Sequence, residues 1–365
     1  MALDTPYRAI FCDLITDQTI DILPLRDVSF DDYIGKAGSL SGTIPIPNQE
    51  IADRVKKVRE GRTAIYLERG GDLWWGGIIW TTTLQSSGRG VLTLSLQAAT
   101  FDSYAARRRI RTDIAYTDTD QLEIARKLWG ELTKGPGCFT LTMGEETSDI
   151  KRTVNYRLGD ETVYQEALDQ LAGLQNGFEY QILVYRDPED GKRVRQLRLG
   201  STKIRTGATD LLFDRPGVIL SYSFPNDATR GGTTAVARGA SVNSNAGAES
   251  RPLFSTEQVD TGLLADGWPR IDLSSDHNEI ADQLTLNQVA AAELADVRGA
   301  VLIPEISIHL GGIVPPALLG RVARIRITDE WFSTGLDARY RIIGVKITPP
   351  ERGRPDTAEL YLEEA

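Results

Sequence analysis

Residues 72–80 read DLWWGGIIW, three tryptophans around a glycine pair. In an extended strand alternate residues share a face, so Trp74, Gly76, Ile78 and Trp80 lie on one side and Trp75, Gly77 and Ile79 on the other. Tryptophan on both faces argues against a strand with one side in water. The glycines permit a bulge or the close approach of another backbone. We therefore expect a strand with apolar neighbours on both sides. Trp74, Trp75, Gly76, Gly77 and Trp80 then belong to a barrel or subunit interface rather than to an open platform for sugars or bases.

The flanking sequence supports a strand. YRAIFCDL, TIDILPL, SLSGTIPIP, TAIYLERG and GVLTLSLQAAT are short runs of strand formers separated by Gly, Asp and Ser. Asn48 can cap a short helix, QEIADRVKKVRE, ended by Gly61. From 113 to 204 the period changes. Leu122, Ala125, Trp129 and Leu132 recur at helical spacing behind the capping candidates Asp118 and Asp120, and a second helix is predicted from Asp160. A hairpin follows, FEYQILVYR and RVRQLRLG around the turn DPEDG. Residues 241–256 read as a loop, and about 276–298 as a long helix stopped by Gly299. The last sixty residues read as strands again.

One similarity recurs within the chain. Gly61-Arg62 opens TAIYLERG, Gly77 follows in GGIIWTTT, and Leu94 and Leu96 follow in VLTLSLQA. Near the end, Gly320-Arg321 opens VARIRIT, Gly344 sits in IGVKITPP, and Leu360 and Leu362 follow in AELYLEEA. The second glycine and the first of these leucines are 17 positions apart in one copy and 16 in the other. We read two copies of one barrel motif. The expected organisation is a first barrel over 1–112, completed by 205–240, an α+β unit over 113–204, and a second barrel over 241–365 carrying the long helix.

Composition bounds the function. The 365 residues are 41% hydrophobic and 25% charged, the profile of a folded chain of two to four structural units. No apolar run reaches the roughly 20 residues of a membrane helix, and the opening MALDTPYRAIFCDL predicts no signal peptide. Two cysteines, Cys12 and Cys138, make neither a disulfide framework nor a zinc site. The formal charge of −10 disfavours a surface built to hold phosphates.

Catalytic patterns are absent. The two histidines, His277 and His309, have no evident nucleophile partner, and GSLSG at 38–42 places its second serine one position off the G-x-S-x-G elbow. Adjacent carboxylates such as Asp31-Asp32 and Glu145-Glu146 point apart on a strand or sit in turns. DPEDG lacks the spacing of a calcium loop, and neither GxxxxGK[ST] nor GxGxxG occurs. No cofactor or metal is implied. YAARRRIRTD, with Arg107, Arg108, Arg109 and Arg111, concentrates positive charge and is read as an intersubunit or interdomain salt-bridge cluster in preference to a DNA contact. Trp268, in DGWPR, is the candidate exposed aromatic.

The opening strand pair, the segment GSLSGTIPIPN, a short helix and GRTAIYLERGGDLWWGGIIW resemble the N-terminal barrel of phage tail hub proteins of the actinophage minor-tail type, related to baseplate hub and tail-associated proteins. RYRIIGVKITPPERGRPDTAELYLEEA resembles their closing strands. The resemblance rests on glycines and strand order and brings no catalytic signature. It implies a mainly β chain with α+β insertions, two tail-tube-like barrels in a hub-like architecture, and no enzymatic activity. It implies a homotrimer whose six barrels join a hexameric tail tube or distal-tail ring to a threefold tip with its fibre proteins. Such a ring, assembled in the host cytoplasm and carried at the virion's tail tip, lets DNA pass without specific binding. The runner-up is a receptor- or carbohydrate-binding tail-tip module. An unfamiliar lytic enzyme with a convergent carboxylate pair also stays open.

Overall fold

The structure is a computed structural model describing residues 6–88, 90–241, 251–278, 280–297, 301–302, 304–311, 313–350 and 356–365. The chain forms two compact units. The larger comprises residues 1–169, 178–222 and 305–365; the smaller comprises 170–177 and 223–304.

The larger unit is dominated by one sheet, in which thirteen strands of the described residues share hydrogen bonds. Its N-terminal part holds β1 (Arg8–Asp13), β2 (Thr19–Leu23), β3 (Arg26–Tyr33), β4 (Ser39–Ile46), β5 (Thr63–Arg69), β6 (Asp72–Ser86) and β7 (Leu92–Thr100). They pair in the order β2-β1-β5-β6-β7-β4-β3. The order arises from antiparallel hairpins such as β1–β2, β5–β6 and β6–β7. Asn48 caps the short helix α1 (Gln49–Val55) as expected, its side chain accepting from the Ile51 amide.

The C-terminal part repeats this arrangement. Val322–Ile327 pairs with Leu336–Thr348, which pairs with Thr357–Glu364, an antiparallel meander like β5-β6-β7. Corresponding glycines do corresponding work. Gly61 and Gly320 both have positive φ, +70° and +82°, just before the first strand of each meander. Their amides donate to carbonyls of the middle strand, Ile79 at 2.7 Å and Ile342 at 2.9 Å. Both middle strands carry a bulge, between Ile79 and Thr81 and between Ile342 and Gly344. β3 joins the parts. Tyr33, Asp32, Asp31 and Phe30 pair with Gly344, Val345, Lys346 and Ile347. The two expected barrels therefore appear as two repeated halves of one continuous sheet.

Beside this sheet, in the same unit, lies helix α2 (Gln121–Leu132), which buries Leu122, Ala125, Leu128, Trp129 and Leu132. Asp120 is its cap and accepts from the Leu122 amide at 2.9 Å. The other candidate, Asp118, sits in the preceding strand with a φ of +49°. The next helix spans Tyr164–Ala172 and does not start at Asp160. Asp160 closes a 3-10 turn, and the left-handed φ of Glu161, +45°, breaks the path into a helix there. The predicted hairpin forms as Phe178–Arg186 paired with Arg193–Ser201, with Gly191 at φ +70° in its turn.

In the smaller unit the strand Thr234–Ser241 pairs antiparallel with Pro252–Phe254 and parallel with Asp272–Asp276. The helix predicted over about 276–298 begins only at Gln283 and runs to Asp296. Residues 272–276 are consumed by the strand, and Asp282 caps the helix by accepting from the Thr285 amide at 2.7 Å. Its Leu286, Val289 and Ala290 pack on Ala237, with Leu174, Leu253 and Ile280 around them. Gly299 lies outside the described residues, as do residues 242–250 of the expected loop.

Candidate functional site

The first half of β6, residues 73–79, is buried on both faces, and its own chain supplies the cover. Trp75 is 1% exposed, and its indole N–H donates to the Asp31 carbonyl at 2.9 Å. Trp74 meets the Tyr7 ring edge-on at 5.1 Å under the Arg69 guanidinium. A Cβ on Gly76 would stand 2.7 Å from the Tyr66 ring and 3.2 Å from Val184, so the strand Phe178–Arg186 packs where Gly76 leaves room. A Cβ on Gly77 would lie 2.1 Å from the Ala99 carbonyl oxygen, a contact only glycine permits. The apolar neighbour on the second face is thus a strand of the same chain. Trp80 is half-buried, and its indole donates to the Ser103 hydroxyl at 2.9 Å. Arg107 stacks over its ring at 5.3 Å.

The arginine run lines a cleft of about 420 Å³ that brings together Arg107, Arg108, Arg109 and Arg111 with Lys134 and Glu131. Arg108 is tied down by neutral groups, donating to the Leu132 carbonyl at 3.0 Å and to the Cys138 sulfur at 3.1 Å. Arg109 donates to the Glu161 carbonyl at 2.8 Å, and the Glu161 carboxylate lies 4.0 Å from Arg109 and 3.7 Å from Arg111.

Trp268 is only half-buried rather than open to solvent. The tryptophan that stands in solvent is Trp331, 83% exposed, held by a turn in which Asp329 accepts from the Trp331 and Phe332 amides at 3.0 Å. The aspartate two positions before an aromatic was the local signal for this turn.

Several ion pairs carried no local signal. Arg341 is completely buried. It donates to Glu363 at 2.6 Å, to Glu179 at 2.7 Å and to the Ile204 carbonyl at 2.7 Å. Burial pushes Glu363 up, but the Arg341 and Lys203 hydrogen bonds outweigh it and leave the carboxyl below its usual range. Arg195 donates to the Tyr66 hydroxyl at 2.7 Å and to Asp17 at 2.9 Å. Glu68 is held between Arg8 and Arg186. Two acids lack a cation of this kind. Burial pushes Asp102 up to about 6, and burial also raises Asp32, whose carboxyl accepts from the Gln181 amide at 3.2 Å.

The two halves of the sheet differ outside. On β4, β7 and β6 the outward residues form three uncharged rows: Ser41, Gln97 and Thr81; Thr43, Ser95 and Thr83; Pro45, Thr93 and Gln85. On the C-terminal meander the outward residues form ion pairs. Arg324 holds Asp337 through two bonds of 2.7 Å, Arg326 holds Asp214 at 2.7 and 3.0 Å, and Arg339 holds Asp210 at 2.8 and 2.9 Å.

Among the described residues no group of His, Cys, Asp and Glu is arranged to hold a metal ion, and no helix is long and apolar enough to cross a membrane. His277 pairs with Glu293 at 2.9 Å.

No family model and no curated protein matches the sequence. Solved structures do match its fold. A tail protein from Neisseria meningitidis MC58 superposes with a TM-score of 0.60 at 16% identity, over 98% of this chain and 96% of that one. The 43 kDa tail protein of prophage MuSo2 from Shewanella oneidensis gives 0.62 at 10% identity, over 98% of both chains. The fold is that of phage tail proteins. Prophage tail protein gp18 from Listeria monocytogenes EGD-e shares this tail-protein fold, with a TM-score of 0.53 at 13% identity over 97% of this chain and 94% of that one.

Proposed function

We propose that this chain is a structural subunit of a phage tail, forming a homotrimeric hub at the tail tip that joins a hexameric tube to a threefold tip. The observation that carries the reading is the duplicated meander, two copies in one sheet joined through β3. Three such chains present six similar units, which matches sixfold symmetry above and threefold symmetry below. The tube or a distal-tail ring contacts one face, and tip or fibre proteins the other. The net charge of −10 suits a conduit through which DNA slides without being held, since an acidic lumen repels its phosphates. The role is architectural, and no enzymatic step is assigned.

The test is the mass of the purified full chain by light scattering, with negative-stain images of the same sample. The hub reading expects three times the chain mass and a ring with a central hole. A monomer that fails to form rings when mixed with tail tubes overturns it. The alternative, a carbohydrate-binding tip module built on Trp268, draws little support from a half-buried ring.

A further inference from the structure

The cleft lined by the arginine run is charge-unbalanced. Its wall carries five cations, Arg107, Arg108, Arg109, Arg111 and Lys134, against one carboxylate, Glu131. Glu131 is already engaged by Lys134 at 3.0 Å. Glu161 stands beside the run and serves both Arg109 and Arg111, at 4.0 and 3.7 Å, longer than a charge-assisted hydrogen bond. Arg107 and Arg108 have no carboxylate partner among the described residues. Arg107 stacks on Trp80, and Arg108 is directed by Leu132, Tyr104 and Cys138. In a chain of net charge −10, a wall whose cations outnumber the nearby acids Glu131 and Glu161 is an arrangement that an external anion stabilises.

The backbone holds these groups in place. The Ile110 amide donates to the Thr162 carbonyl at 2.9 Å, and the Tyr164 amide to the Arg108 carbonyl at 3.1 Å. Arg109 bridges to Val163. The backbone at Arg108–Ile110 is therefore pinned to residues 162–164.

We propose that this cleft is a docking site for a carboxylate-rich segment of a neighbouring protein. A concave cleft of about 420 Å³ whose wall carries five cations and one carboxylate suits a few side-chain carboxylates, the surplus positive charge outweighing Glu131 and the nearby Glu161. A nucleic acid strand instead requires a continuous track of cations and stacking aromatics along its phosphates. Each arginine fork grips a carboxylate in two hydrogen bonds, and Lys134 adds a point charge. The site stands on this charge balance; that its occupant is another tail subunit rests on the tail-protein reading above.

The test uses the full chain and hexaglutamate as probe, followed by calorimetry at low ionic strength, with single-stranded hexathymidylate in parallel. Hexaglutamate is expected to bind one per chain and to weaken as salt rises. R107Q/R111Q removes two exposed guanidinium groups and lowers the affinity about tenfold or more, the scale of losing two charge-assisted contacts. K134Q, on a different segment, lowers it as well, and so guards against local misfolding of the arginine run. The remote pair K56Q/K192Q leaves it unchanged. Absence of hexaglutamate binding, equal affinity in R107Q/R111Q and K134Q, or tighter binding of the oligonucleotide overturns the proposal. Binding by a chain that never forms rings keeps the site while removing the hub, so the two failures are distinguishable.

Discussion

The two meanders share a backbone and differ in their outward chemistry. β6 and the strand Leu336–Thr348 both bulge at mid-length, follow a left-handed glycine and hold a second glycine where a side chain would collide. Yet β4, β6 and β7 turn hydroxyls and amides outward, whereas the C-terminal meander turns outward three bidentate Arg–Asp pairs. The backbone repeat is thus specified by inward residues and glycines, and the outer face is free to specialise. In the proposed ring, hydroxyl faces and balanced-charge faces alternate around the circle.

The comparison can be broken first at its ion pairs. Arg341→Met leaves Glu179 and Glu363 without their buried partner and is expected to cost about 3–5 kcal/mol. Arg324→Met, in the exposed ladder, is expected to cost far less, because solvent screens the pair. Urea unfolding of the two variants side by side measures the difference, and equal losses would erase the distinction between inner and outer pairs.

The glycines offer the next test. Gly77→Ala drives a Cβ into the Ala99 backbone, which cannot yield, and is expected to cost about 3 kcal/mol. At Gly344 the atoms met belong to side chains, the Tyr33 ring at 2.4 Å and the Tyr361 ring at 3.2 Å, which yield more readily than backbone, so Gly344→Ala is expected to cost less, about 1–2 kcal/mol. The order of the two unfolding midpoints checks this. The reverse order would mean that the C-terminal copy is the more rigid.

Asp102 supplies a pH test at the core of the N-terminal half. Its folded value of about 6 lies above the ordinary 3.8 because burial penalises the charged form. A raised acid stabilises the fold fully below its unfolded value and loses that contribution as pH rises through about 6. Asp102→Asn keeps an acceptor for the Thr100 hydroxyl and removes the buried charge. It is expected to stabilise by about 2–3 kcal/mol at pH 8 and to give no gain at pH 4. Melting curves at the two pH values read it. The smallest effect is the response of the outer ladder to salt: raising ionic strength weakens its pairs slightly, and Arg326→Gln abolishes that part of the salt dependence of the melting temperature.

Much of the sheet was legible because strands and glycines leave local marks. DLWWGGIIW announced a doubly covered strand, and the spacing Gly61, Gly77, Leu94 against Gly320, Gly344, Leu360 announced the repeat. The strand that joins the halves was missed. β3 reads RDVSFDDY, with three acids in eight residues and a left-handed Asp27, so its propensity is poor and only its pairing reveals it. The long-range partners of Arg341, Arg195 and Glu68 were equally silent. Glu179 is 162 positions from Arg341, and nothing in the local pattern of either marks the other. In the arginine run the charge was legible, but the concavity was not, because it depends on residues 161–164 and the end of α2.

The union of the halves through β3 has a mechanical consequence. Four residue pairs join Phe30–Tyr33 to Gly344–Ile347, with a further bond from the Ile34 amide to the Ile343 carbonyl at 2.9 Å. A pull along these strands loads every bond of the ladder together and fails only when all of them break. A pull across them opens the ladder one bond at a time. The seam is therefore strong against traction along its length and weak against peeling, and a particle anchored by this chain would withstand tension in one direction far better than in the other.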